Sequence, residues 1–208
     1  MRSDDSRISR TPSFTIAEPM TPLSREILEF WFGATPHAAR AEWFRKDPAF
    51  DSTIRQRFGH AVETALAGAT DAAVGEDLRD SIAYVVLLDQ FTRNAFRDTP
   101  RAFAGDRQAL RMAVNVVDAG RDSSLDHFER WFLYMPFQHA ENLAMQERSI
   151  TLFTRLAAEA GDPALLGWAE KHEVIIRRFG RFPHRNAILG RASTPEEIAF
   201  LAEPGSRF

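Results

Sequence analysis

The sequence predicts an all-α fold, and three observations predict it. Helix-type periodicity recurs from Ser24 to Glu203 with only short breaks, and strand-type alternation is nowhere sustained. Helix-start signatures are spread along the chain. Asp47-Pro48, Thr99-Pro100 and Asp162-Pro163 each put a capping side chain before a proline at the first helical position, where a missing N–H costs nothing, and Thr194-Pro195-Glu196-Glu197 adds a capping box. Connections between successive helices are short, which favours antiparallel neighbours, so the fold is read as an irregular stack of antiparallel helical hairpins. No 34-residue period aligns with itself, so any solenoid-like stack is irregular.

Taken in order, the first helix is expected over 24–32. The second, 48–67, carries Phe50, Ile54, Phe58, Ala61 and Ala65 on one face and turns His60 away to solvent. The third, 78–96, contains the run Ile82 to Leu88, apolar all round as in a central helix; Asp89 and Arg93 continue its Ile82/Val85/Val86 face and form an i,i+4 pair. In the fourth, 100–119, Asp106 falls among Phe103, Leu110, Ala113 and Val117. The fifth is expected over 123–135, with Pro136 breaking or kinking what is otherwise one long helix. In the sixth, 137–160, His139, Asn142 and Gln146 fall in line with Leu143, Ile150, Phe153 and Ala157. The seventh, 163–179, has an apolar face of Leu165, Trp168, Ala169, Ile175, Ile176 and Phe179 with His172 at its centre, so His172 is expected to be buried. The last helix is 194–203.

Polar groups thus recur on apolar faces of different helices. A buried polar group without a partner costs about 1–3 kcal/mol, and a charge more. The economical solution is one connected cluster in which Asp89, Arg93, His139 and His172 converge. Such a cluster can serve as a site, or it can only pin the helices in register.

With 208 residues and 44% hydrophobic content, the chain supports one core, assigned to residues 21–208. Residues 1–20 mix Arg, Ser, Asp and Pro without an apolar run and are expected to be a flexible leader. They offer neither a signal-peptide core nor a membrane span, and Asp4, Asp5 and Glu18 count against an organellar transit peptide. The lack of cysteine excludes disulfides, thiolate catalysis and Cys-ligated metal centres, and it fits the reducing cytoplasm. A formal charge of -3 supplies no global field for nucleic acid or an anionic membrane, and neither is expected as a partner.

From Val174 to Pro195 there is no acidic residue, while Arg177, Arg178, Arg181, Arg185, Arg191 and His184 are all present. The stretch Arg178 to Asn186 has Gly180 after a helix end and Pro183 in the turn, so its guanidinium groups can be held in place to recognise a carboxylate or phosphate. The alternative is that these arginines offset nearby acids or cover a helix C-terminus. A short echo of the loop occurs at Gln90 to Arg97. No Walker loop, dinucleotide fingerprint, EF-hand or His-Glu-x-x-His helix is present, and no metal or cofactor is expected.

The segments Leu28 to Gly33, Trp43-Phe44, Leu87 to Asn94, Thr99 to Asp106, Phe132 to Asn142 and Arg178 to Asn186 resemble, in fixed order, the bacterial family called domain of unknown function 924. The resemblance covers nearly everything after Met20 and implies a helical, tetratricopeptide-like fold. It implies no activity. The pattern leads one to expect a proline near Thr92 and an acidic residue near Asn142, and Thr92 and Asn142 themselves depart from it.

These readings lead to a small-molecule site. Asp89, Arg93, Asp106, Arg178, Arg181, Arg185 and Asn186 are its candidate ligand-binding residues, and His139, His172 and His184 its candidate proton carriers. The competing expectations are a helical interaction module that clamps an acidic peptide or C-terminal carboxylate, and a purely structural polar network. Oligomeric state is not legible in the sequence.

Overall fold

The computed structural model describes residues 20–68 and 77–206. All but the last residue of the expected leader, 1–20, lies outside the described residues. Among the described residues there is no strand, and the helices pack as an irregular stack. In chain order they are α1 (Pro22–Phe32), α2 (Pro48–Leu66), α3 (Leu78–Val85), a π-helical segment (Val86–Phe91), α4 (Thr92–Ala95), α5 (Asp106–Asp118), α6 (His127–His139), α7 (Leu143–Ala160), α8 (Ala164–Phe179) and α9 (Pro195–Leu201). No helix among the described residues is long and apolar enough to cross a membrane.

The sequence explains the boundaries. Asp47 caps α2 by accepting hydrogen bonds from Ala49 N and Phe50 N. Thr194 and Glu197 form the expected capping box of α9, and Asp126 with Glu129 forms another at α6. Gly180 ends α8 at φ 69°, in the left-handed region that favours glycine.

The run α3, π segment and α4 is the central helix, and every residue from Asp80 to Thr92 is buried. α1 and α5 pack on α3, and α2 packs on the π segment and α4. α6, α7 and α8 follow as two hairpins joined by the short links 140–142 and 161–163. Aromatic rings fill the centre: Trp31 meets Phe91 and Phe132 edge-on, with centroids 5.6 and 5.3 Å away, and Phe58 lies 4.9 Å from Phe91. A separate small core of Ile175, Ile176 and Phe182, flanked by Phe179 and Phe200, holds the C-terminal segment.

Three local expectations are corrected. Pro136 does not break the helix; it sits buried inside α6, which runs on to His139. An interior proline costs about 3 kcal/mol, whereas Phe132, Leu133 and Phe137, all fully buried around it, stabilise by roughly 1.5–3 kcal/mol each. The break falls instead at 140–142, where Asn142 caps α7 by accepting Met145 N and Gln146 Nε2 caps α6 by donating to the carbonyls of Gln138 and Ala140. His139 and Gln146 therefore belong to different helices. Asp106 is not mid-helix: after a 3-10 turn over Pro100–Phe103, it opens α5. Trp168, placed on the apolar face by periodicity, is 47% exposed with the Lys171 ammonium over its ring.

Candidate functional site

The site begins with the π segment. A π turn widens the helix and loosens its hydrogen-bond ladder, and side chains take up part of what is released. Thr92 Oγ1 donates to Leu88 O at 2.7 Å, and the Arg93 guanidinium donates to Asp89 O. Gly105 lies directly over this turn, so close that a Cβ there would sit 2.2 Å from Leu88 O. That approach puts Asp106, the first residue of α5, beside Arg93.

Asp89 is fully buried. Its Oδ1 lies 2.7 Å from His139 Nδ1 and 3.3 Å from Arg93 Nη1, and its Oδ2 accepts Gln90 Nε2 at 2.6 Å. Burial works against the charged carboxyl, but Arg93 and His139 outweigh it and hold the group down at about 2. Arg93 also lies 2.9 Å from Asp106 Oδ1, and Asp106 Oδ2 accepts Arg185 Nη1 at 3.1 Å. Asp106 thus bridges an arginine of the central helix and one of the C-terminal segment. Burial opposes the charge on Arg93, yet Asp106 and Asp89 raise its pKa above the ordinary arginine value. Arg185 is 6% exposed, its guanidinium 4.6 Å from the ring centres of both Phe103 and Phe182. Burial lowers it to about 10, still a cation at neutral pH. Arg93 Nη2 and Arg185 Nε are buried without a hydrogen-bond partner among the described residues.

A cavity of about 290 Å³ opens here, lined by Arg93, Arg97, Asp98, Ala102, Phe103, His139, His172, His184, Arg185 and Ile188. Its size is at the foot of the range of about 300–1,000 Å³ usual for small-molecule sites. Of the residues singled out from the sequence, Arg93, His139, His172, His184 and Arg185 line it, with Asp89 and Asp106 directly behind them. His172 Nδ1 is 2.8 Å from Trp168 O. A carbonyl only accepts, so Nδ1 carries the hydrogen. By the same logic the Asp89 carboxylate fixes the hydrogen of His139 on Nδ1.

Burial lowers the pKa of all three imidazoles. His172 falls to about 3, with His139 the next cause, and His184 to about 4, with Arg185 the next. For His139, burial and Arg93 outweigh the opposing Asp89. The unfolded chain takes up these protons near pH 6.5, whereas folded His172 does so only near 3. Stability is therefore present above pH 6.5 and falls as the pH drops, on the order of 1 kcal/mol per pH unit for each such ring. Urea unfolding at pH 7.5 and 5 should show this slope, and His172→Asn, which keeps a donor for Trp168 O, should flatten it. An unchanged slope in that variant would remove His172 from the account.

The remaining loop residues sit in a second network. Arg181 is held in a fork by Glu197, at 2.7 and 2.8 Å, and Arg178 Nε donates to Glu196 at 3.1 Å. Asn186 Nδ2 donates to Ser193 Oγ and Glu197, and its Oδ1 accepts Arg191 Nε. Arg191 and the Phe182 N–H both donate to Glu141. Arg178, Arg181 and Asn186 do not line the cavity. The loop has no acid of its own, but Glu141, Glu196, Glu197 and Asp106 arrive from elsewhere in the chain and neutralise it.

Sequence reasoning passed over Arg97, which lines the cavity and is clamped by Asp51 at 2.7 and 2.8 Å. The only sequence signal was its place at the end of the echo Gln90 to Arg97. For metals, His37, Asp126 and Glu129 offer ligand atoms within 4.8 Å of one another. Those atoms are already engaged in the His37–Asp126 contact, the α6 capping box and the Glu129–Arg79 pair, and none of the three residues lines the cavity.

Comparisons with known proteins agree on kinship and are silent on chemistry. The model of a bacterial protein family of unknown function, DUF924, matches residues 27–205. A solved structure of a protein of unknown function from Agrobacterium tumefaciens is similar at 40% identity with a TM-score of 0.77, covering 86% of this chain and 97% of that one. No curated protein matches.

Proposed function

Because the chain belongs to the bacterial DUF924 family, whose description carries no activity, we propose a function from the cavity itself: it binds a small phosphate- or carboxylate-bearing molecule, on which His139 can move a proton. The observation that carries this is a hydrogen-bonded Asp89–His139 pair in the wall of a cavity also lined by Arg93 and Arg185, each with a buried guanidinium nitrogen that no group among the described residues satisfies. A guanidinium fork supplies directional donors for an anion. Asp89 orients the imidazole and stabilises the imidazolium that forms when Nε2 takes a proton. The lack of cysteine supports a cytoplasmic setting, and the tetratricopeptide-like relationship rests on the family resemblance.

The peptide-clamp alternative loses support because Arg178 and Arg181 are already occupied by Glu196 and Glu197. A purely structural network keeps one argument: Asp106 already neutralises part of the charge of Arg93 and Arg185. Thermal melts separate the two. At a hundredfold excess over Kd a ligand adds about 2.7 kcal/mol, roughly 5–10 °C for a chain of this size. Phosphorylated and carboxylated small molecules should raise the melting temperature of the native protein more than that of Arg185→Lys, which keeps a cation for Asp106 but loses the planar fork. If no compound of either class does so, the network is structural only.

A further inference from the structure

Which anion fits follows from the hydrogens the wall has already committed. His139 gives its Nδ1 hydrogen to Asp89, and His172 gives its own to Trp168 O, so in each neutral ring the lone pair is on Nε2. The Nε2 of His139 therefore accepts, and a ligand group placed against it must bring a hydrogen. The guanidinium side donates, and a ligand there must bring oxygen acceptors.

The charges decide between anions. Arg93 and Arg185 face Asp89 and Asp106, Arg97 is clamped by Asp51, and the Asp98 of the lining pairs with Lys46 at 3.2 Å. No cationic surplus remains to neutralise a dianion. A phosphate, at a charge of roughly -1.5 to -2 near neutral pH, would bring more uncompensated charge into a buried site than a carboxylate does. An ammonium donor is disfavoured beside three guanidinium groups. Ala102, Phe103 and Ile188 leave room for a short carbon skeleton.

We propose that the cavity takes a small hydroxycarboxylate, its carboxylate on Arg93 and Arg185 and its hydroxyl hydrogen donated to His139 Nε2. This rests on the reading of the cavity as an anion site and narrows it. A carboxylate on Arg93 would also offset the cation that disfavours protonation of His139, so the ring becomes more basic when the ligand is in place.

Calorimetric titrations with 2-hydroxybutanoate, butanoate and inorganic phosphate test it, on the native protein and on His139→Asn. Asparagine can still donate to Asp89 through its amide but has no counterpart of Nε2. The hydroxy acid should bind the native protein about tenfold more tightly than butanoate, the discrimination worth one hydrogen bond, and phosphate should bind most weakly. His139→Asn should bind the two carboxylates equally. Nitrogen-detected NMR of the native protein gives a second measurement that does not depend on the variant folding: the His139 Nε2 resonance should move further with 2-hydroxybutanoate, which adds a hydrogen bond to that nitrogen, than with butanoate, which only places a charge on Arg93. Equal binding of the two acids by the native protein, discrimination that survives in His139→Asn, or phosphate binding most tightly would each overturn the hydroxycarboxylate assignment while leaving an anion site. Binding by none of the three would overturn both.

Discussion

Replacing Asp89 by alanine is expected to destabilise the protein by about 3–5 kcal/mol, the usual cost of removing one partner from a buried ion pair. The carboxylate is fully buried and contacts His139, Arg93 and Gln90. Without it, Arg93 keeps the Asp89 carbonyl and a single carboxylate, Asp106, which it must share with Arg185. Asp89→Asn preserves the shape and an acceptor for His139 and should lose less. Because the folded carboxyl is held down at about 2, its contribution is complete above the ordinary carboxylate range near pH 4 and disappears as the pH falls from 4 towards 2. Chemical denaturation at pH 7 and pH 3 measures both effects. A loss below about 1 kcal/mol for the alanine variant at pH 7 would mean that the cluster contributes little to the fold.

The second large effect is expected at Gly105, where the sign reverses the usual rule. Glycine to alanine generally stabilises by about 0.4–1 kcal/mol when the backbone allows it, because the unfolded chain loses freedom. At φ -89° the Gly105 backbone does allow it. The space does not: an added Cβ meets Leu88 O at 2.2 Å and Leu88 C at 2.9 Å, both backbone atoms with no rotamer to change. Overpacking of this kind costs about 1–3 kcal/mol or more. Relief requires α5 to move off the π segment, taking Asp106 away from Arg93. Gly59, inside α2, is the control: a Cβ added there would meet nothing within 4 Å, and alanine should stabilise by up to about 1 kcal/mol. Melting curves of the two variants should shift in opposite directions. Shifts of the same sign would contradict the close approach at Leu88.

The central helix and the buried His172 were legible because a fully apolar run and a histidine between Ala169 and Ile176 leave few other arrangements. So were Asp89 and Arg93, one turn apart and continuing the same face. Pro136 misled as to the break because a local cost near 3 kcal/mol was weighed without the burial of Phe132 and Phe137 on either side of it. Asp106 was found for an incomplete reason: periodicity put it in mid-helix, whereas the close approach of Gly105 to Leu88 is a tertiary fact. The basic loop misled most. A window free of acids reads as a charge surplus, but Glu141 lies 50 residues from Arg191 in sequence and Asp106 lies 79 from Arg185. Pairings over such separations leave no local pattern.

That last separation bears on how the site comes and goes. Arg185, His184 and Ile188 belong to the segment that rests on the small core of Ile175, Ile176 and Phe182, apart from the aromatic centre that buries the main stack. Regions with few apolar contacts open at lower free energy than the rest of a protein, as cooperative units. A partial opening in which this segment lifts while the central helix stays packed would separate Arg185 from Asp106 and remove one wall of the cavity without unfolding the chain. On the proposed reading, occupancy and closure would then be one equilibrium: a ligand between Arg93 and Arg185 would also fasten the C-terminal segment of the molecule to its middle.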